Sequence, residues 1–278
     1  MSGPILDLPT PVLDALTPTS RRLVADRRGS TVWEVESPQG HYAVKLGRPV
    51  EATAEWDAQP WTALAPAREG AVLHHLGRRD VVYGEWEHGT WNVQPWRSGP
   101  DLYRLWEPRR RREAPVEPHV SVAPGCVEAL AEVHARGWAH GDVQPAHFIV
   151  GPDHVHLIDL ALARGGDVPE VYDFPYRGCL VHYEAPEISR SVLATGRAEP
   201  TPEADVYALG ASLLISATGW RAVEYPDDAP RSVQREAVAD GRRRPVKAPG
   251  RLGELIDAML SHDPKDRPTL QEAAEVLN

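Results

Sequence analysis

His140-Gly141-Asp142-Val143-Gln144-Pro145-Ala146-His147-Phe148-Ile149-Val150, followed shortly by Leu157-Ile158-Asp159, is the stretch that decides the fold. Phe148-Ile149-Val150 and Val155-His156-Leu157-Ile158 are rich in apolar and β-branched residues and are separated by Gly151-Pro152-Asp153, the pattern of a hairpin. A turn centred near Asp153 predicts His147 opposite Asp159 at the open end, and Asp142 lies in a loop that must return to that end. A lone aspartate at a strand end is ordinarily a turn or cap residue. Two aspartates and a histidine converging after two strands make a mouth suited to a metal-bound nucleotide.

Working outward, the 278 residues suffice to bury a real core. The net charge of −10 argues against general nucleic-acid binding. Arg109-Arg110-Arg111-Arg112 and Arg242-Arg243-Arg244 are local basic clusters of the kind that usually form solvated faces. Cys126 and Cys179 are the only cysteines, which excludes a disulfide framework or a cysteine-rich metal site. No run approaches a membrane span, and the first residues lack a basic segment leading into an apolar core. A cytoplasmic protein with no nucleic-acid and no membrane partner is the expectation. Lysine is scarce: Lys45, Lys247 and Lys265 stand against 27 arginines.

Residues 1–20 hold several prolines and no clear period, and read as an arm. Strands are predicted at Leu23-Val24, Val32-Trp33-Glu34-Val35, Tyr42-Ala43-Val44-Lys45-Leu46, Val81-Val82-Tyr83 and Trp91-Asn92-Val93, with Pro38-Gln39-Gly40 as a turn. A helix is predicted over residues 67–76, where Val72, Leu73 and Leu76 form a stripe and Pro66 suits the start. These elements make a strand-rich first lobe over residues 21–96, and residues 94–100 read as a connector. The second lobe, residues 97–278, is mainly helical. Val127, Leu130, Ala131 and His134 share one helical face, and residues 108–118 read as a surface loop. Residues 204–217 are apolar around most of the circumference, the mark of a central buried helix, and the last helices fall at 252–260 and 270–277.

Lys45 stands in a predicted strand and Glu69 in the first lobe's helix. A buried lysine needs an anionic partner, and Glu69 is the best acidic candidate, the plainer alternative being a surface ion pair. With these residues assembled, residues 21–277 resemble a eukaryotic-type protein kinase. Ala43-Val44-Lys45 resembles the third-strand lysine motif, Glu69 the helix glutamate, His140-Gly141-Asp142 the catalytic His-Arg-Asp, and Asp159-Leu160-Ala161 the metal-binding Asp-Phe-Gly. Ala185-Pro186-Glu187 matches the Ala-Pro-Glu element. Asp205-Val206-Tyr207-Ala208-Leu209-Gly210 resembles the motif of the central helix, and Asp266-Arg267-Pro268 the late arginine that pairs with that glutamate. The resemblance implies an α+β bilobal fold, with a five-stranded antiparallel sheet and one helix beside a mainly helical lobe. It implies ATP with Mg²⁺ or Mn²⁺ as cofactor and a peptide or protein substrate. Lys45 would hold the α- and β-phosphates, Glu69 would orient Lys45, Asp159 would bind metal, and Asp142 would take the acceptor's proton. Gly29, Ser30, Val32, Ala43 and Gln94 would line the nucleotide.

The departures from the pattern are specific. The glycine-rich loop is replaced: aligned on Val32, the chain has Ala25, Arg27 and Ser30 with only Gly29 nearby, so the backbone cradle for phosphate is weaker or made differently, with Arg27 or Arg28 as a substitute contact. Gln144 stands where Ser/Thr kinases carry a lysine that stabilises the transferring group, and Leu180 where a threonine touches that lysine. His147 replaces the asparagine that binds a second metal, which implies a preference for Mn²⁺ or use of one metal, the plainer alternative being a hydrogen bond to Asp142. Gly141 replaces the arginine that pairs with a phosphorylated activation loop, and residues 159–187 contain no serine or threonine. The implied control is constitutive competence or a regulatory partner protein.

Three function classes follow. The first is an active ATP-dependent Ser/Thr phosphotransferase; the second is a pseudokinase scaffold that keeps the fold without turnover. The third is a small-molecule, antibiotic-type phosphotransferase, which shares His-Gly-Asp but generally lacks Ala-Pro-Glu and the late arginine. The degenerate loop is also similar to the stand-alone kinase components of lanthipeptide and thioamitide maturation. There a precursor-peptide Ser or Thr is phosphorylated and a separate lyase eliminates the phosphate.

Overall fold

The computed structural model describes residues 7–27, 29–52, 58–113, 122–241, 243–248 and 250–277. Residues 1–6 of the predicted arm, Arg28, Arg242 and residues 114–121, which include the end of the predicted loop, lie outside the described residues. The chain divides into two compact units, Met1–Arg97 with Gly166–Phe174, and Ser98–Gly165 with Pro175–Asn278. Among the described residues no helix is long and apolar enough to cross a membrane.

The first unit is built on an antiparallel sheet in the order β1-β2-β3-β5-β4, with β1 Ser20–Arg27, β2 Ser30–Ser37, β3 Gly40–Gly47, β4 Val82–Trp86 and β5 Gly89–Pro95. Period-two alternation sorts its two faces. Val35, Val44, Leu46, Trp91 and Val93 point to one side and form a core with Leu8, Val12 and Leu16. The last two belong to helix α1, Thr10–Leu16, so the predicted arm contains a helix. Its signal was faint because seven residues hold barely two turns, and because Pro9 and Pro11 read as breakers. Both lie at the helix start, where a missing N–H costs nothing. The opposite face carries Val32, Ala43, Lys45, Asn92 and Gln94, which the ladder sets side by side: Val32 pairs with Lys45, Lys45 with Asn92, and Ala43 with Gln94. Helix α2, Ala65–His75, packs against this polar face through β5, where the Thr90 hydroxyl donates to the Ala63 carbonyl and accepts from the Ala67 N–H. The predicted connector begins later than expected, because Gln94 and Pro95 still belong to β5. The β4 ladder ends at Val82 opposite Val93, so Pro95 removes no hydrogen bond on that side.

The second unit begins with the short helices α3, Leu102–Leu105, and α4, Glu107–Arg110, the latter occupying the start of the predicted loop. Arg110 lies over the Tyr103 ring and donates to the Ser216 carbonyl, which ties this turn down. Helix α5, Ala123–His134, leads to the hairpin of β6, Phe148–Val150, and β7, Val155–Leu157. Then come α6 (Pro186–Thr195), α7 (Pro202–Thr218), α8 (Arg231–Ala239), α9 (Gly250–Met259) and α10 (Leu270–Leu277). Thirteen residues of α7 are buried, so it forms the centre of the unit, as its all-round apolar sequence requires. Arg267 closes the fold with a two-pronged bond to Glu187, Nη1 to Oε1 at 2.7 Å and Nη2 to Oε2 at 2.8 Å. A second fork, Arg235 to Glu184 at 2.8 and 3.0 Å, joins α8 to the residues just before α6 and had no sequence signal.

Candidate active site

In the first unit Lys45 reaches across from β3 to Glu69 on α2, Nζ to Oε1 at 2.8 Å. Glu69 is 1% exposed and the Lys45 side chain 12%, so the surface-pair alternative is excluded. The second oxygen of Glu69 accepts from the Asn92 side-chain amide at 3.0 Å, and the same amide donates to the Pro66 carbonyl at 2.8 Å. Asn92 lies opposite Lys45 in the ladder and is fully buried. It therefore fixes the carboxylate that fixes the lysine. Sequence reasoning missed it; the available signal was a lone polar residue between Trp91 and Val93 at a position facing Lys45.

The connection between β1 and β2 is a tight turn with Arg27 paired to Ser30. Gly29 has φ +80°, a Cβ there would meet the Arg48 carbonyl at 2.5 Å, and its own carbonyl accepts from the Arg48 N–H at 2.8 Å. Its glycine character thus serves packing against the end of β3. Ser30 and Arg27 are exposed, and Val32 and Ala43 are half-buried on the Lys45 face. Gln94 donates from its amide to Asn92 Oδ1 at 3.3 Å, extending the polar row.

In the second unit the decisive support comes from α7. Asp205, buried, accepts from the backbone N–H of His140 at 2.6 Å and of Gly141 at 2.9 Å, and from the His134 ring at 2.9 Å. Gly141 has φ +76°, and a Cβ there would meet the Leu162 carbonyl at 2.9 Å, so glycine fits this chain at the position where the family pattern has an arginine. The Tyr176 hydroxyl donates to its carbonyl at 2.8 Å. His140 uses both ring nitrogens, Nδ1 accepting from the Asp142 N–H at 3.2 Å and Nε2 donating to the Ile158 carbonyl at 3.1 Å. The ring is therefore neutral, and burial holds its pKa down at about 4 against the pull of Asp205.

Asp142, Gln144, His147 and Asp159 gather at the open end of the hairpin. The ladder pairs Phe148 with Leu157, and the Ile158 N–H donates to the His147 carbonyl, so His147 stands opposite Ile158 and not Asp159. The one-residue correction arises because the turn centres between Pro152 and Asp153. Asp159 follows with φ +67°, a left-handed conformation that turns its carboxylate back toward the mouth. There it lies 3.3 Å from His147 Nε2. His147 Nδ1 donates to the backbone carbonyl of Asp142 at 2.8 Å, and the Asp142 carboxylate is 3.9 Å from that nitrogen. The simpler alternative for His147, a bond to Asp142 alone, is thus half the story. With Nδ1 engaged by that carbonyl, Nε2 is the ring nitrogen turned to the Asp159 carboxylate. Gln144 donates to Asp142 Oδ2 at 3.1 Å. Burial is the largest influence on Asp142 and pushes its pKa up to about 6, with Asp159 adding to the rise while His147 and Gln144 oppose it. Leu180 is exposed.

Among the described residues no three His, Cys, Asp or Glu side chains draw together as a self-sufficient metal cage. The Asp159 carboxylate and His147 Nε2 nevertheless form a two-donor edge. A divalent ion held by one or two protein donors with nucleotide phosphates supplying the rest fits that edge.

The family model for the protein kinase domain matches residues 101–277. The serine/threonine-protein kinase PkaA of Streptomyces coelicolor is 30% identical over 186 residues, 65% of this chain and 32% of that protein. A probable serine/threonine-protein kinase, PkwA of Thermomonospora curvata, is 29% identical over 57% of this chain and 20% of its own length. PkaB of S. coelicolor, also a serine/threonine-protein kinase, is 27% identical over 93% of this chain and 62% of itself. The chain thus spans a third or less of the first two relatives. The arrangement around Asp205, the sheet that presents Lys45 and the fork from Arg267 to Glu187 are the supports such a domain requires, and with the family match over well more than half its length the chain belongs to the protein kinase domain family.

Proposed function

We propose that the protein is an ATP-dependent phosphotransferase of the Ser/Thr protein-kinase type, acting on a serine or threonine hydroxyl of a peptide or protein. The observation that carries this is the cluster in the second unit, where a half-buried Asp142 is positioned by backbone, His147 and Gln144 beside the Asp159 carboxylate. Asp142 accepts the hydrogen bond of the attacking hydroxyl, orients it, and takes its proton late in transfer. Gln144 steadies the carboxylate through a neutral amide. Lys45, held by Glu69 and Asn92, supplies positive charge to the phosphates. A divalent ion held by Asp159 and His147 would neutralise charge on those phosphates. The imidazole donor favours manganese over magnesium, since borderline nitrogen ligands suit Mn²⁺ better. Gly29, Ser30, Val32, Ala43 and Gln94 line the nucleotide side of the sheet.

The acceptor class rests on the relatives, which are protein kinases by name and not small-molecule phosphotransferases. A precursor peptide with a separate lyase is the finer acceptor, supported by the degenerate phosphate loop and the sequence resemblance alone. Cytoplasmic action and a regulatory partner belong to the same proposal.

The test is single-turnover transfer from labelled ATP to short Ser/Thr peptides, with mass detection of the adduct. Transfer is expected in the parent, and Asp142→Asn should lower its rate roughly 10²–10⁴-fold. A second function, a nucleotide-binding scaffold, is favoured by the tight β1–β2 turn, whose Gly29 carbonyl is bonded within the fold. ATP binding without transfer in the parent would establish the scaffold and overturn the enzyme.

A further inference from the structure

Helix α2 buries two adjacent charges, Arg68 and Glu69, each 1% exposed. Glu69 faces Lys45. Arg68 serves a different segment: its Nε donates to Asp173 Oδ1 at 3.1 Å, and its guanidinium lies 5.4 Å from the ring centre of Phe174, itself buried. Tyr172, next to Asp173, donates its hydroxyl to Glu85 Oε1 on β4 at 3.1 Å and meets the Tyr83 ring edge-on. Gly166–Phe174 is accordingly part of the first compact unit. A buried guanidinium demands an anion, because leaving it unpaired costs more than almost any other single defect. The segment that supplies this anion has no serine or threonine that could be phosphorylated, and glycine stands at 141 where an arginine would read such a phosphate.

We propose that Arg68 and Asp173 form a built-in charge anchor that holds residues 170–174 on helix α2 and does the work of a phosphorylation-dependent contact without any phosphate. Because Arg68 and Glu69 are consecutive on one helix, the anchor also restrains the backbone that positions Glu69 toward Lys45. Arg68 is a positioning residue in this scheme, and Asp173 a permanent stand-in for a phosphoryl group. The kinetic consequence rests on the phosphotransferase function proposed above.

The Tyr172 and Asp173 amides donate to the Pro169 and Glu170 carbonyls, so both have protection to lose. The Asp173 side chain is half exposed, which lets it be changed without emptying the core. Hydrogen exchange of the full chain should show these amides exchanging about tenfold faster in Asp173→Asn, the size expected for one charge-assisted bond, and at the parental rate in Asp173→Glu. kcat/KM for a Ser/Thr peptide should fall about tenfold in Asp173→Asn and recover in Asp173→Glu, while phosphatase treatment of the parent changes nothing. Unchanged exchange in Asp173→Asn, or equal acceleration in Asp173→Glu, overturns the anchor, and so does loss of transfer after phosphatase treatment. If the parent shows no transfer at all, the enzymatic function falls while the exchange data still decide the anchor.

Discussion

At the residue scale, burial acts in opposite senses on His140 and Asp142. His140 titrates near 4 in the fold against 6.5 in the unfolded chain, and Asp142 near 6 against 3.8. Between about pH 4 and 6.5 the unfolded state binds more protons at His140, so acid removes stability there; between about 3.8 and 6 the native state binds more at Asp142, so acid restores it. The two largely offset each other in protein free of metal and nucleotide. Asp142→Asn removes one side of the balance. It should be more stable than the parent at pH 7 by about 3 kcal/mol, and should lose roughly 3 kcal/mol between pH 7 and 4 where the parent changes little. Chemical denaturation across that range checks both, and parallel curves for the two proteins would refute the balance. In metal-free protein Asp142 gains its proton as the pH falls through about 6, and a divalent ion offsetting the Asp159 charge lowers that point, so transfer by the parent should fall off with acid only below pH 6. The metal role proposed for His147 has its own test: the ratio of Mn²⁺- to Mg²⁺-supported transfer should drop in His147→Asn, and equal ratios in both proteins would remove the imidazole from the metal edge.

At the element scale, α1 closes a sheet face that would otherwise expose Val35, Val44 and Leu46 to water. Leu16 is buried there, and Leu16→Ala should cost about 2–3 kcal/mol, read as a lowered urea midpoint at constant slope. An unchanged midpoint would mean that α1 contributes nothing to the core. This element was illegible in the sequence because its spacing of Leu8, Val12 and Leu16 is too short to stand out from a proline-rich stretch. The strands and helices α2, α5, α7, α9 and α10 were legible because alternation and the 3.6-residue period are imposed directly by burial, whereas α6 and α8 were not predicted. The same distinction runs through the site. Lys45, Glu69, Asp142 and Asp159 could be found because they end or punctuate such patterns. The Arg235–Glu184 fork and the Arg68–Asp173 pair could not, and Asn92 left only the trace of a lone polar residue in a strand, because each draws its meaning from a partner distant in sequence. The hairpin register was off by one for a similar reason: Gly151-Pro152-Asp153 marks a turn, but hydrogen bonding decides which residues flank it.

At the scale of the whole molecule, 40 acidic residues against 30 basic ones give a net charge of −10. Such a surplus creates a negative potential that reaches beyond contact distance and raises the encounter rate of cationic partners. Ionic strength tunes that reach: between about 0.01 M and about 0.15 M the Debye length shrinks from about 30 Å to about 8 Å. A Ser/Thr peptide flanked by arginines should therefore lose at least several-fold in kcat/KM over this interval, while kcat, which concerns the bound complex, stays level. A peptide of the same acceptor with neutral flanks should show no such loss, and one with acidic flanks should improve as salt screens the repulsion. The three peptides separate long-range steering from specific recognition, because a local pocket for arginine would discriminate among them at high salt as strongly as at low. If all three respond alike, the surplus charge has no part in choosing the acceptor, and selection must lie in short-range contacts around Asp142.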